Sequence, residues 1–61
     1  MTREFKELPG WSFTADEVSA GVYRALGRDG AGRTVEEAGL DPDVLIEKCK
    51  QAAIQIMADS R

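Results

Sequence analysis

Thr14-Ala15-Asp16-Glu17-Val18-Ser19-Ala20-Gly21-Val22-Tyr23-Arg24-Ala25-Leu26 has two readings, and the choice between them decides the fold. As a helix, Thr14 to Glu17 make a capping box, Phe13 and Val18 a hydrophobic staple, and Gly27 a terminator. As strands, the same residues hold Gly21 inside the run and the β-preferring pair Val22-Tyr23, which both weaken a helix. We favour strands, with a turn near Asp16-Glu17 and strand structure from about Val18 to Arg28. A helix from Ala15 to Leu26 stays open as the alternative.

Just before this stretch, Trp11-Ser12-Phe13-Thr14-Ala15 alternates apolar and polar residues, the pattern of a half-buried strand. Trp11 and Phe13 then share a face and supply much of the core. Pro9-Gly10 is turn punctuation. Residues 1–10 read as a weakly ordered arm from which Phe5 tucks onto the body, and residues 11–61 as a single domain.

After residue 26, Asp29-Gly30-Ala31-Gly32 is the strongest turn signal in the chain. Gly32 suits the left-handed position that closes a type I turn with a bulge. Arg33 to Ala38 returns as a strand. If Asp29 faces Arg33, Val35 shares a face with Tyr23 and Ala25, and Val22 and Leu26 point to the other face. A one-residue slip would exchange the faces. The loop chemistry favours the first register.

Gly39 ends that strand, and a helix follows. Asp41 suits the N-cap, Pro42 the first helical position and Asp43 the positive end of the helix dipole. Leu40 and Leu45 occupy the two positions of a hydrophobic staple. Leu45, Ile46, Cys49, Ala52, Ala53, Ile56 and Met57 fall on one stripe at helical spacing. Val44 and Ile54 lie off it. The expected fold class is therefore α+β: a three-stranded antiparallel meander and one C-terminal amphipathic helix on one sheet face, β-β-β-α. One helix covers one face of such a sheet; the other is solvated or paired.

A chain of 61 residues buries only about 60% of its unfolded surface, which leaves little stability in reserve. Small chains often add a disulfide, a metal or a second copy. With one cysteine and no histidine, one chain can build neither an internal disulfide, a Cys/His zinc site, nor a Cys–His or Ser–His catalytic pair. Oligomerisation is the staple that remains. The net charge of −3 gives no electrostatic reason to expect nucleic acid. No apolar run approaches the roughly 20 residues of a membrane span, and Met1 to Gly10 lack the apolar core of a signal peptide. The expectation is a cytoplasmic protein.

The candidate chemistry is thin. Glu36-Glu37 are neighbours in a strand and point to opposite faces, so they cannot act as a dyad. Asp41 and Asp43 have capping work. Gly27 to Gly32 is glycine-rich but lacks the phosphate-loop pattern and joins antiparallel strands rather than opening a helix. Arg24, Arg28 and Arg33 lie on or near this hairpin as candidate anion contacts, with Asp29, Glu36 and Glu37 close enough to neutralise them. Cys49 sits on the apolar stripe, where a cysteine behaves as a small hydrophobe. Met57 reads as core.

Gly10-Trp11-Ser12-Phe13, Glu17 to Arg24 and Gly32 to Asp43 together resemble a family of small bacterial proteins with the pattern W-x-F…E-x-S-x-G-x-Y…G-R-x-V-E…G-x-D. The resemblance covers about residues 10–57. It implies the hairpin reading and carries no assigned activity. The order β-β-β-α is also similar to the later part of double-stranded-RNA-binding domains, whose last helix opens with a basic cluster; here it opens Asp41-Pro42-Asp43. It resembles the small, partly open sheets of HicB-like antitoxins as well. Fold analogy alone says little of function.

The functional expectation is a non-enzymatic protein-interaction module that self-associates, as a dimer, through Val22, Leu26, Val44 and Ile54. The alternative is an antitoxin-like or regulatory partner of a larger protein; nucleic-acid binding through the hairpin arginines ranks third. No catalytic residue, metal, cofactor, small-molecule substrate or membrane association is expected.

Overall fold

The structure is a computed structural model that describes residues 2–59. Met1, Ser60 and Arg61, which the expected arm and domain include, lie outside the described residues. Strands β1 (Thr2–Arg3), β2 (Ser12–Ser19), β3 (Val22–Arg28) and β4 (Thr34–Gly39) precede helix α1 (Pro42–Asp59). They form one antiparallel sheet in the order β1-β2-β3-β4. The α+β class and the single C-terminal helix are as expected. The strand count is four rather than three, because Thr2 and Arg3 pair with Thr14 and Phe13. A two-residue strand has no periodicity to read, and so it left no signal in the sequence.

Residues 14–26 are strand, turn and strand. The turn, however, lies at Ala20-Gly21 and not at Asp16-Glu17. Ser19 pairs with Val22, and Gly21 has φ +72°. A positive φ at the second position of a tight turn is cheap for glycine and costly for other residues. The carboxylate of Glu17 accepts a hydrogen bond from the Gly21 N–H at 3.1 Å. The pairing shifts between Glu17 and Ser19, so Val18 stands at a bulge. Gly21, which the sequence reading used as an argument against a helix, is the turn signal itself.

The second hairpin follows the expected chemistry. The Asp29 N–H donates to the Arg33 carbonyl at 3.1 Å, the Gly32 N–H to the Asp29 carbonyl at 3.3 Å, and Gly32 has φ +89°. Asp29 Oδ1 also accepts from the N–H groups of Ala31 and Arg33, at 3.0 and 2.7 Å. This is the three-residue loop closed by a left-handed glycine. Its register pairs Gly27 with Val35, Ala25 with Glu37 and Tyr23 with Gly39. Val35 therefore shares a face with Tyr23 and Ala25, as the loop chemistry required.

That inner face is the one α1 covers. Phe13, Ala15, Ala25 and Val35 from the sheet meet Leu45, Ile46, Cys49 and Ala53 from the helix in one buried cluster. Trp11 stacks on Phe13 with ring centroids 5.9 Å apart and a 14° interplanar angle. Gly27 lies between Phe13 and Val35. A Cβ there would stand 2.6 Å from Phe13 Cε1 and 2.7 Å from Val35 Cγ2, so the ring and the valine fill the space a side chain would need. The segment read as an arm completes this core. Leu8 is buried and Phe5 packs on the cluster, edge-on to Phe13 at 5.4 Å. The Leu8 N–H donates to the Phe5 carbonyl and the Trp11 N–H to the Leu8 carbonyl, both at 3.1 Å, so the segment is a chain of tight turns.

The helix starts where expected. Asp41 Oδ1 accepts from the N–H groups of Asp43 and Val44 at 3.0 and 3.4 Å, the work of an N-cap. The expected Leu40–Leu45 staple does not form: Leu40 is 78% exposed. Leu45 instead packs over Gly39, where an added Cβ would lie 3.2 Å from Leu45 Cδ2. With Gly39 on the inner face and without a side chain, Leu45 seats directly on the sheet and needs no leucine beside it. Met57, read as core, is 39% exposed at the far end of the helix. Helical spacing puts Met57 on the apolar stripe and the staple pattern puts Leu40 just before the helix, but the seating of the helix on the sheet leaves both uncovered.

Candidate interaction surfaces

The outer face of the sheet follows from the register. Ser12, Thr14 and Asp16 on β2, Val22, Arg24, Leu26 and Arg28 on β3, and Thr34, Glu36 and Ala38 on β4 all point away from the helix. Val18, at the bulge, is 59% exposed and lines a shallow depression with Thr14, Asp16, Arg24 and Leu26. The apolar groups form a short strip, Leu26 to Val18, with Val22 at the end of β3. Polar and charged groups surround it. Arg24 pairs with Glu36 diagonally across β3 and β4, and this pairing raises the Arg24 pKa further above its ordinary value. Both side chains are about half exposed, so solvent screens most of the attraction.

The four residues expected at an interface are thus split between two layers. Val22 and Leu26 lie on the outer sheet face. Val44 and Ile54 are exposed on α1, which packs on the opposite face. Two-fold alternation fixed the first pair and helical periodicity the second, and neither pattern reports that sheet and helix turn these residues in opposite directions.

The three candidate arginines also separate. Arg24 and Arg28 share the outer face. Arg33 leaves the hairpin toward the helix, where its Nη1 donates to Asp29 Oδ2 at 3.3 Å and to Met57 Sδ at 2.9 Å. The last turn of α1 has no basic residue of its own. Arg33 therefore places a cation near the negative end of the helix dipole. Asp29 holds it there, and the pair ties the second hairpin to the end of the helix.

Beside Arg33 lies a concavity of about 490 Å³, open to solvent and lined by Glu7, Leu8, Pro9, Trp11, Ile54, Met57 and Ala58. The sequence reading named Trp11 and Ile54 but assigned them to different places. What brings them together is the N-terminal segment, which folds back so that Leu8 and Pro9 form one wall. The indole N–H of Trp11 is buried without an acceptor among the described residues. Lys50 clasps the same segment from the helix. Its Nζ bonds Glu7 Oε2 at 2.9 Å and lies 4.8 Å from the Phe5 ring centroid. The hydrogen bond from Lys50, helped by a backbone N–H and by the ammonium charge, lowers the Glu7 pKa; the same bond raises that of Lys50.

The Cys49 side chain is fully buried in the core. Burial, and then the charges of Glu37 and Glu36, push its thiol pKa up. It therefore stays a protonated thiol at neutral pH, a poor nucleophile. Among the described residues no three His, Cys, Asp or Glu side chains converge as a metal site would need, and no helix is long and apolar enough to cross a membrane.

Comparison with known proteins finds no matching family model, curated protein or solved structure.

Proposed function

We propose that this chain is a non-enzymatic protein-interaction module that self-associates, its outer sheet face meeting the same face of a second copy. The observation that carries the reading is the one-sided sheet: α1 covers one face, and the Val18–Leu26 strip with Val22 lies on the other, with no layer over it among the described residues. Burying a strip of aliphatic side chains contributes about 25 cal/mol for each Å² removed from water, a useful gain for a chain this small. The Arg24–Glu36 pair and Asp16 border the strip and would form a polar rim, as charged groups do at the edge of an interface.

Analytical ultracentrifugation tests the reading. The expected result is a dimer at high micromolar concentration that Leu26→Asp or Val18→Asp converts to a folded monomer. A native chain that stays monomeric there, or a dimer indifferent to both substitutions, overturns it.

A second reading, a regulatory partner of a larger protein in the manner of antitoxins, is favoured by the groove between the N-terminal segment and α1. Pro9, Ile54 and Met57, set over the buried Leu8 and Trp11, offer an apolar seat for a partner's side chain. Ile54→Ser would weaken such a complex and leave self-association through the sheet untouched.

A further inference from the structure

We propose that the open edge of β4 binds an extended, basic segment of another protein, which adds to the sheet as a fifth strand. The backbone carries the first part of the case. β4 ends the sheet. It has six residues without proline or bulge, about the length of an ordinary strand pairing. The hydrogen-bonded pairs alternate along an antiparallel ladder. The Asp29–Arg33 bond sets their phase, so Val35, Glu37 and Gly39 bond β3 while Thr34, Glu36 and Ala38 direct N–H and C=O outward. No described residue accepts from or donates to those outward groups. The other edge is less open: β1 covers Phe13 and Thr14, and the bulge at Val18 interrupts what remains.

Charge selects the occupant. Along β4 the side chains beside an incoming strand include Glu36 and Glu37 and no base; Glu36 is shared with the half-exposed Arg24 of the neighbouring strand, and Glu37 has no ion pair among the described residues. Pairing of β4 with its own copy is disfavoured for the same reason. A two-fold centred on Glu36 or on Glu37 sets that glutamate against itself, and like charges directly opposite destabilise a strand pair. An incoming strand with two consecutive basic residues meets the edge differently. One lies opposite Glu36 on the outer face, the next opposite Glu37 on the inner face, because neighbours in a strand alternate. At the end of the edge Leu40, the most exposed large hydrophobic residue described, offers an apolar contact beyond the last pair. Main-chain bonds supply affinity and the alternating side chains supply choice, as in other strand additions. The outward main-chain groups of β4 lie beside the outer face rather than on it; Glu36 borders both.

The test uses the whole chain and two capped hexapeptides, Thr-Val-Lys-Lys-Val-Thr and its Glu-Glu counterpart, followed by NMR. The lysine peptide is expected to bind about tenfold or more tighter than the glutamate peptide, with the preference falling as salt is added. Binding is expected to slow amide exchange at Thr34, Glu36 and Ala38 above all. Glu36→Lys combined with Glu37→Lys reverses the preference between peptides. Ala38→Pro removes an outward N–H that the fold does not use, and weakens the lysine peptide while the spectrum stays folded. Equal binding of both peptides, no binding of either, or protection of the three amides that grows with protein concentration alone overturns the proposal, the last because a second copy would then occupy the edge.

Discussion

The two faces of the sheet are built from the same strands and differ only by alternation, yet they are unlike in composition and in what they ask of the chain. The inner face has Phe13, Ala15, Ala25, Gly27 and Val35, fitted to Trp11 and to the helix so closely that glycine is required at position 27. The outer face has serine, threonine, two arginines and two carboxylates around Leu26, Val22 and Val18. The inner face sets stability through packing that tolerates little change in volume. The outer face, with exposed polar and charged side chains, adds little to stability. A small domain with one helix is bound to this division, because a single helix cannot cover both sides.

The sharpest way to break the division is to remove inner-face volume. Phe13→Ala is expected to cost about 3–5 kcal/mol, comparable with the whole stability of a small domain at about 0.05–0.15 kcal/mol per residue. Chemical denaturation should find the variant unfolded or nearly so. Adding volume should also hurt: Gly27→Ala drives a methyl into Phe13 and Val35 and is expected to cost about 1–3 kcal/mol, read from the denaturation midpoint. Asp41→Ala removes the cap that starts the covering helix and should cost about 1 kcal/mol. On the outer face, Arg24→Met breaks an exposed pair and should change stability by less than about 1 kcal/mol. If it costs as much as Gly27→Ala, the two faces do not differ as described.

The N-terminal segment sharpens the comparison further, because it joins the inner face through a clasp as well as through packing. The folded-state pKa of Glu7 is depressed by Lys50. Its contribution is therefore present above the unfolded pKa and is lost as pH falls through the folded one. The raised pKa of Lys50 gives a contribution present below its unfolded pKa and lost only as pH rises through the folded value, in strongly alkaline solution. Acidification should thus release the clasp while Leu8 and Phe5 keep packing. The protection of the Leu8 amide, taken relative to its intrinsic exchange rate at each pH, is expected to fall at acid pH in the native chain, and Glu7→Gln should remove that added sensitivity. A native chain and variant with the same acid response would show that packing alone holds the segment.

Local chemistry made much of this legible beforehand. Asp29 to Gly32 announced its loop because a left-handed glycine and an aspartate accepting from the loop's own N–H groups are properties of neighbouring residues. Asp41-Pro42-Asp43 announced the helix start in the same way. The loop also set the register, since alternation carries one pairing to the end of the strand. The candidate surfaces were only half legible for the opposite reason. Val22, Leu26, Val44 and Ile54 were each found by periodicity, but periodicity is counted within one element and cannot say which way two elements face each other. Arg33 looked like one of three hairpin arginines until the helix end lay beside it.

The sequence by itself determined the second hairpin, the cap of α1 and most of the stripe that packs, all consequences of interactions within a few residues. Only the tertiary structure decided that residues 14–26 are strand, turn and strand, that Leu8 completes the core and β1 the sheet, that Met57 and Leu40 are left uncovered, and that among the described residues the edge of β4 stays open beside Glu36 and Glu37. Those outcomes depend on which distant surfaces exclude water from one another, and that is a property of the assembled chain.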